Sequence, residues 1–344
     1  MASSGLESKI NTSVGRPGEP ESRSFSRLYQ TLVSPVNDFS HLSSRFNHLE
    51  SASSGYRRVV LRSLCSNDVL TQAMQSNLPI EAVIPMNLVC DDNSVIVFLG
   101  QNDHDSPLQG RNIQDLIEKR NNHKTPLEKV KAIPEGFCLT GQLRENDAED
   151  LFALWERFGW NREQISNFIQ SIQSKQEGLW FSAIRDSRNN KLVSASTAEA
   201  MKFAGITYIE TTEYSTLDGY EGKGLCTATV AGLVAQVLKD TYYSQQSLTT
   251  VIAAEFNTSS TSAAIGASSG FIIPKVDGVS QILSYNVAVV DGVPANSVFK
   301  NHPQEDNGIP FRFLRDFAVA VLPRDNIINI YPPEVVDQII SYYQ

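Results

Sequence analysis

The chain has 344 residues, 41% of them hydrophobic and 19% charged, which is typical of a globular protein long enough for two folded units. Its formal net charge of −9 makes nucleic acid and anionic membranes unfavourable partners. The longest apolar runs fall short of the ~20 residues of a membrane helix, and the four cysteines lack CxxC spacing, so we expect a cytoplasmic protein.

The N-terminal region predicts a disordered tail and then a small α/β unit. Residues 1–23 are rich in Ser, Gly, Pro and charge, without an apolar segment, and are expected to be disordered. Residues 24–101 form the unit, in the order strand, helix, strand, helix, strand, strand. The predicted elements are a strand at 24–32, a helix with Val36, Phe39, Leu42, Phe46 and Leu49 on one face, a strand at 57–61, a helix capped by Asn67 through about Gln75, and a hairpin of 80–89 with 94–99.

A polar connector at 102–135 leads to a larger unit at 136–292, and a C-terminal extension follows at 293–344. The predicted elements of the larger unit are a strand at 137–143, helices at 147–158 and from Asn161 to Ile172, strands at 179–185, 192–201 and 206–217, a helix ending at Asp240, a strand at 248–255, a small-residue helix at 257–269 and strands around 282–290. The last part repeats the opening order of the first unit, which suggests an internal duplication. The extension has several prolines and a closing helix at 335–343, and its place in the fold is left open.

The chemically informative stretch is the Gly-rich turn that joins a strand to a helix at Gly222 and Gly224. A helix that begins at such a turn directs backbone N–H groups and the positive end of its dipole at one point, which suits a pyrophosphate. The glycines allow close approach, and Lys223 adds a positive charge. An ordinary tight corner is the alternative for a bare GxG.

This stretch resembles the coenzyme-A signature of the GNAT acetyltransferase superfamily, Arg/Gln-x-x-Gly-x-Gly/Ala, at residues 221–226. Gly224 agrees, whereas Glu221 and Cys226 depart from the signature. The pattern at 214–225, with Glu81–Pro85, is most similar to the beta-lysine N-acetyltransferase-like family over about residues 24–290. The resemblance implies an α+β GNAT fold, a mixed and mostly antiparallel sheet flanked by helices with a splayed strand pair beside the Gly-rich turn, preceded by a partial GNAT-like half.

The same resemblance implies acetyl-CoA as co-substrate, a primary amine as acceptor, and roles for individual residues. Glu210 is the first candidate for the base that deprotonates the amine, Glu213 is the reserve, and Tyr285 is the nearest candidate for a general acid. The candidates for binding acetyl-CoA are Tyr214, Ser215, Thr216, Leu217, Glu221, Gly222, Lys223, Gly224, Leu225, Cys226, Asn257 and Ser259.

Other functions stay open at this stage. Glu221, Cys226 and the lack of a tyrosine on the small-residue helix fit a catalytically decayed GNAT-fold scaffold or binding protein. An acyltransferase that acts on proteins is a third possibility, suggested by the tail and the extension. Either carboxylate could instead be a solvated or salt-bridged strand residue. The five histidines lack metal-ligand spacing, so no metal is expected, and the acceptor's identity and the oligomeric state are not specified by the sequence.

Overall fold

The computed structural model describes residues 8–13, 27–52, 58–102, 125–156, 160–244, 249–257, 265–288 and 312–344. Two β-sheets and their helices make up this part of the chain. The strands are β1 (Ser8–Ser13), β2 (Arg27–Leu32), β3 (Arg58–Cys65), β4 (Ile80–Pro85), β5 (Val95–Asn102), β6 (Phe137–Thr140), β7 (Leu179–Asp186), β8 (Lys191–Phe203), β9 (Ile206–Thr216), β10 (Thr249–Asn257), β11 (Ile282–Ala288) and β12 (Arg312–Val321). The helices are α1 (Phe39–Ala52), α2 (Asn67–Gln75), α3 (Pro126–Lys131), α4 (Ala148–Trp155), α5 (Arg162–Gln173), α6 (Leu225–Asp240), α7 (Arg324–Ile330) and α8 (Pro333–Ile340).

The first sheet has the strand order β1-β2-β3-β5-β4, and the second has the order β11-β12-β10-β9-β8-β7-β6. Only β2 with β3 and β9 with β10 pair in parallel; the other ladders between the described strands are antiparallel. The predicted α+β class with mixed, mostly antiparallel sheets is therefore confirmed. No helix in the described ranges is long and apolar enough to cross a membrane.

The first sheet packs face to face against part of the inner face of the second sheet. Val60 and Phe98 of the first sheet share one apolar cluster with Tyr208, Val251 and Val319 of the second. Helices α1 and α2 cover the outer face of the first sheet. Helix α6 covers the outer face of the second, while α4 and α5 pack on its inner face over β7 and β8, beside the first sheet.

The hypothesis of an internal duplication gains support from the strand pairing. In the first sheet, β2 pairs in parallel with β3, which pairs antiparallel with β5, which pairs with β4. In the second sheet, β9, β10, β12 and β11 repeat this pattern in the same chain order. Strand β1 also lies antiparallel to β2 as β8 lies antiparallel to β9.

Three predictions about the chain's organisation need correction. Residues 8–13, assigned to a disordered tail, form strand β1 paired with β2. Strand β12, assigned to a separate extension, lies between β10 and β11, so the predicted boundary at 292/293 divides one sheet. Helix α2 is capped by Ser66, which accepts a hydrogen bond from the Val69 N–H at 3.3 Å, and not by Asn67.

Candidate active site

The parallel strands β9 and β10 diverge part-way along their length. Their pairing runs from Ile206 and Thr249 to Thr211 and Ala254, and β10 then pairs with β12. Residues 212–216 of β9 continue without a partner in β10. The result is a V-shaped opening whose vertex lies at Thr211.

A β-bulge produces this divergence. Thr212 lies opposite Thr197 and Ser215 opposite Ala195, so Glu213 and Tyr214 together oppose a single residue of β8. Glu213 has a φ of +58°, an unfavourable conformation for a residue with a side chain. Strand alternation, which would place Glu213 on the sheet face opposite Glu210, therefore does not apply beyond Thr212.

Two tryptophans hold the bulge in place. The Trp155 indole N–H donates to the Glu213 carbonyl at 3.1 Å, and the Trp160 indole N–H donates to Glu213 Oε1 at 3.0 Å. The Ser215 hydroxyl donates to the Leu154 carbonyl at 2.8 Å. Glu213, the reserve base, thus has a structural role at the bulge, and Trp160 contacts it directly.

The Gly-rich turn opens beside the end of the β9 arm. Gly224 is the N-cap of α6 with a φ of +74°, and Gly222 has the same φ. A Cβ added to either glycine would meet no atom within 4 Å, so the space in front of the helix is open. Among the described residues no side chain caps the start of α6 by a hydrogen bond. An open, uncapped helix start fits a pyrophosphate by main-chain donors.

The turn is braced from the β7–β8 hairpin. The Tyr220 hydroxyl lies 3.4 Å from Asp186 Oδ2, and Arg188 forms an ion pair with the same carboxylate at 2.8 Å. The hydrogen bonds from Arg188 lower the pKa of Asp186 to about 2. Lys223 donates to the Gly219 carbonyl at 3.1 Å and lies over the Tyr220 ring, while Glu221 is exposed.

Glu210 lies one residue before the vertex, on the face of the second sheet that meets the first sheet. Its Oε2 is 3.5 Å from Nη2 of Arg62, which comes from β3. The Glu210 side chain remains 33% exposed, whereas that of Arg62 is 3% exposed. The preferred base is therefore at the vertex and reachable, and it is also salt-bridged.

Tyr214 occupies the other face of the opening. Its hydroxyl donates to Thr211 Oγ1, and its ring packs against Phe256 of β10 with the centroids 5.8 Å apart. Burial raises the pKa of Tyr214 well above its usual range, with smaller contributions from Cys226 and Glu210. The phenol is therefore neutral. The two rings line the opening on the side of α6.

The remaining candidates occupy different positions around the site. Ser215 is buried, and its carbonyl accepts a hydrogen bond from Ser194 at 2.8 Å. Thr216 Oγ1 lies 3.0 Å from the Ser194 hydroxyl, and the Leu217 N–H donates to the Val193 carbonyl at 2.9 Å. Leu225 is buried and Cys226 half-buried in the first turn of α6. These residues shape the arm and the helix start.

Three candidates are distant in sequence from the Gly-rich turn: Asn257, Ser259 and Tyr285. Asn257 ends strand β10 and does not begin a helix, of which only residues 265–268 are described. Ser259 lies outside the described residues. Tyr285 lies on β11, three strands from β9, which is ~14 Å at the main chain. This distance makes Tyr285 a poor candidate for a general acid at the vertex.

Sequence reasoning missed Arg62 and Glu255. Arg62 lies between Val60 and Leu64 on the alternating buried face of β3, and a charge at such a position is a signal that the sequence offered. Glu255 follows Ala253 by two residues and so shares the face of Glu210. In the described ranges no group of three or more His, Cys, Asp or Glu side chains is arranged to bind a metal.

No protein-family model matches the chain, and no curated protein matches its sequence. Solved structures match it at low similarity. An N-acetyltransferase from Staphylococcus aureus matches 54% of this chain and 98% of its own, with 10% identity and a TM-score of 0.37. Arabidopsis thaliana NAA60 in complex with acetyl-CoA matches 55% and 99%, with 12% identity and a TM-score of 0.35.

A fungal multi-domain beta-N-acetylglucosaminidase with a glucosamine N-acetyltransferase region matches 35% of this chain, at 16% identity and a TM-score of 0.28. The chain spans only 14% of that protein. Such low scores carry no argument about activity. The fold follows from the chain's own topology: the element order and the splayed strand pair beside the Gly-rich turn are those that the GNAT resemblance implies.

Proposed function

We propose that the protein is an N-acetyltransferase that moves an acetyl group from acetyl-CoA to a primary amine. The observation that carries this proposal is the V-shaped opening between β9 and β10, with Glu210 at its vertex and an open helix start beside it. The finer resemblance to the beta-lysine N-acetyltransferase-like family, based on residues 214–225, belongs to the same proposal.

The geometry suits an extended thioester arm. Main-chain N–H groups at the start of α6 would bind the diphosphate, helped by the open space at Gly222 and Gly224. Residues 212–216, which lie beyond the ladder of β9 with β10, would run beside the thioester arm, which would add to β9 as an extra strand. This path directs the acyl group toward the vertex and Glu210.

The chemistry at the vertex needs one base. Glu210 would accept a proton from the acceptor's ammonium, so that the neutral nitrogen attacks the thioester carbonyl carbon. The C–S bond then breaks and the sulfur leaves as a thiolate, which takes the second proton that the acetylated nitrogen loses, while Glu210 returns the first proton to solvent. Since a thiol has a pKa of about 8.5, a thiolate leaves readily, and the reaction does not require Tyr285 as a general acid.

The proposal is tested by the thermal stabilisation that acetyl-CoA produces. Gly224→Asp adds a side chain and a negative charge where the diphosphate would lie, so we expect it to abolish most of the stabilisation. At a ligand concentration of about 100 times Kd, the wild type should gain roughly 2.7 kcal/mol of unfolding free energy.

Gly205→Asp is the matched control. Gly205 has a φ of +78° and open space around its Cβ position, as Gly224 does, but it lies in the β8–β9 turn at the other end of β9. Both variants carry the same backbone strain and the same charge. Equal loss of stabilisation in both, or no stabilisation of the wild type, would contradict the proposal.

A second candidate function is a non-catalytic acyl-CoA-binding protein of the same fold. It is favoured by the ion pair of Glu210 with Arg62 and by the aromatic pair Tyr214–Phe256 in the opening. Stabilisation by acetyl-CoA without acetylation of any amine in a broad panel would support this candidate and exclude the enzyme.

A further inference from the structure

Arg62 is a buried cation that the first sheet contributes to the second. Its side chain is 3% exposed, and its guanidinium lies over two rings, 4.3 Å from the centroid of Tyr208 and 5.2 Å from that of Phe98. A buried charge is costly unless it is paired, and stacking on rings fixes the plane of a guanidinium. Arg62 therefore has a defined position and a strong requirement for a negative partner.

That partner is the carboxylate at the vertex. Arg62 Nη2 lies 3.5 Å from Glu210 Oε2, so the ion pair joins the N-terminal unit to the opening between β9 and β10. Glu210 keeps a third of its side chain in solvent, so the ion pair does not enclose its carboxylate. A ligand in the opening can therefore reach Glu210 while the carboxylate stays paired with Arg62.

Two carboxylates near Glu210, both in the described part of the chain, oppose its ionisation. Glu199 lies directly opposite it on β8, where like charges are destabilising, and Glu255 shares its face on β10. On its own strand, Tyr208 is two residues away, and Tyr214 is coupled to it electrostatically. Neighbouring carboxylates raise the pKa of a carboxyl group, whereas an adjacent guanidinium lowers it. Arg62 supplies the charge that offsets the repulsion.

We propose that Arg62 is a positioning residue of the acetyltransferase site, which keeps the Glu210 carboxylate ionised and aimed at the opening. The inference rests on the proposed function and deepens it, because it gives the N-terminal unit a part in the reaction. The first sheet then completes the site that the second sheet builds.

Arg62→Met and Arg62→Lys separate charge from packing. In Arg62→Met the acid limb of kcat/KM against pH should move up by about one unit or more, with KM for acetyl-CoA unchanged. In Arg62→Lys the charge remains, so the limb should stay near the wild-type position while kcat falls several-fold through loss of the planar contact. If Arg62 had a purely structural role, the acid limb would lie at the wild-type position in both variants. If Arg62→Met does not fold, a wild-type kcat in Arg62→Lys overturns the inference.

A carboxyl titration by NMR gives a readout that needs no activity. In protein labelled at the glutamate carboxyl carbon, the Glu210 signal is the one missing from Glu210→Gln. Its pKa should be higher in Arg62→Met than in the wild type. An equal pKa in both proteins overturns the inference, whereas a raised pKa in a protein that transfers no acetyl group overturns only the proposed enzyme.

Discussion

The two halves of the molecule share one strand arrangement and differ in the gap between their parallel strands. In the N-terminal half, β2 and β3 part after Thr31 and Arg62, but Val36 closes the gap by donating its N–H to the Leu64 carbonyl at 2.8 Å. In the C-terminal half, no backbone pairing between the described residues of β9 and β10 continues beyond Thr211 and Ala254.

The helices that follow β2 and β9 also differ at their starts: that of α1 is occupied by a side chain, and that of α6, in the described part of the chain, is not. Asp38 precedes α1 and accepts hydrogen bonds from the Ser40 N–H at 3.0 Å and the Ser40 hydroxyl at 2.7 Å, which lower its pKa. The positive end of the α1 dipole therefore already lies beside a carboxylate of the same chain. The start of α6 has Gly224 instead and no capping side chain. The same topology therefore gives a closed half and an open half, and a site requires the open one.

The largest effect is expected when the C-terminal half receives, in β9, the residue that the N-terminal half has at the corresponding position of β2. Gln30 stands one residue before the end of the β2–β3 pairing, as Glu210 does in β9. We expect Glu210→Gln to lower kcat/KM for the amine by roughly 10²-fold or more, because it removes the base. Steady-state kinetics with acetyl-CoA and an accepted amine measure this.

Glu177→Gln is the control, since Glu177 pairs with Lys202 on the exposed surface and should be neutral. A Glu210→Gln enzyme with near wild-type kcat/KM would remove Glu210 from the mechanism.

The bulge that opens the gap can be weakened without touching the opening itself. Trp155→Phe removes the indole donor to the Glu213 carbonyl and should destabilise the fold by roughly 1–3 kcal/mol. It should also weaken acetyl-CoA binding about tenfold, because the β9 arm loses its support. Chemical denaturation and calorimetric titration measure the two effects.

Trp180→Phe is the matched variant, because its indole donates to Asp240 Oδ2 at 2.8 Å, away from the bulge. It should cost similar stability and leave acetyl-CoA affinity unchanged. Similar losses of affinity in both variants would mean that the effect is one of general stability.

A smaller effect is expected on the free energy of unfolding at low pH. The closed turn is braced by its own Asp38, whereas the open turn is braced by Asp186 from the neighbouring hairpin. The folded-state pKa of Asp186, about 2, lies below its ordinary value of 3.8, so its contribution to stability is full above pH 3.8 and disappears as the pH falls toward 2. The stability difference between wild type and Asp186→Asn in urea should shrink over that range. A difference independent of pH would contradict this.

The smallest expected effect concerns the far edge of the closed half. Strand β1 lies at the edge of the first sheet, with β2 between it and β3, which carries Arg62. Deleting residues 1–13 should therefore leave acetyl-CoA affinity unchanged within about twofold, by calorimetric titration. A large loss would place the edge of the first sheet in the site.

Local signals in the sequence were sufficient for much of the fold. The helix predicted from Asn161 is confirmed, with Asn161 as its N-cap and a capping box to Gln164, and the Gly-rich turn does lead into a helix that ends at Asp240. Both features depend on a few adjacent residues, for which side-chain hydrogen bonding and backbone freedom are readable.

Features that depend on distant partners were not accessible in the same way. The bulge at Glu213 carries no Gly or Pro, and its conformation is maintained by tryptophans from another segment. Strand β12 finds its place only by pairing with β10 and β11. The contact of Arg62 with Glu210 joins two sheets, so a single sequence cannot show it, although an arginine on an apolar strand face could have drawn attention.

The most direct test is a crystal structure of the protein with acetyl-CoA bound. The account predicts the diphosphate at the start of α6, the thioester arm along residues 212–216, and the acetyl carbonyl within reach of Glu210 at the vertex. A complex in which the cofactor lies elsewhere, with the Tyr214–Phe256 pair unmoved across a closed gap, would contradict it.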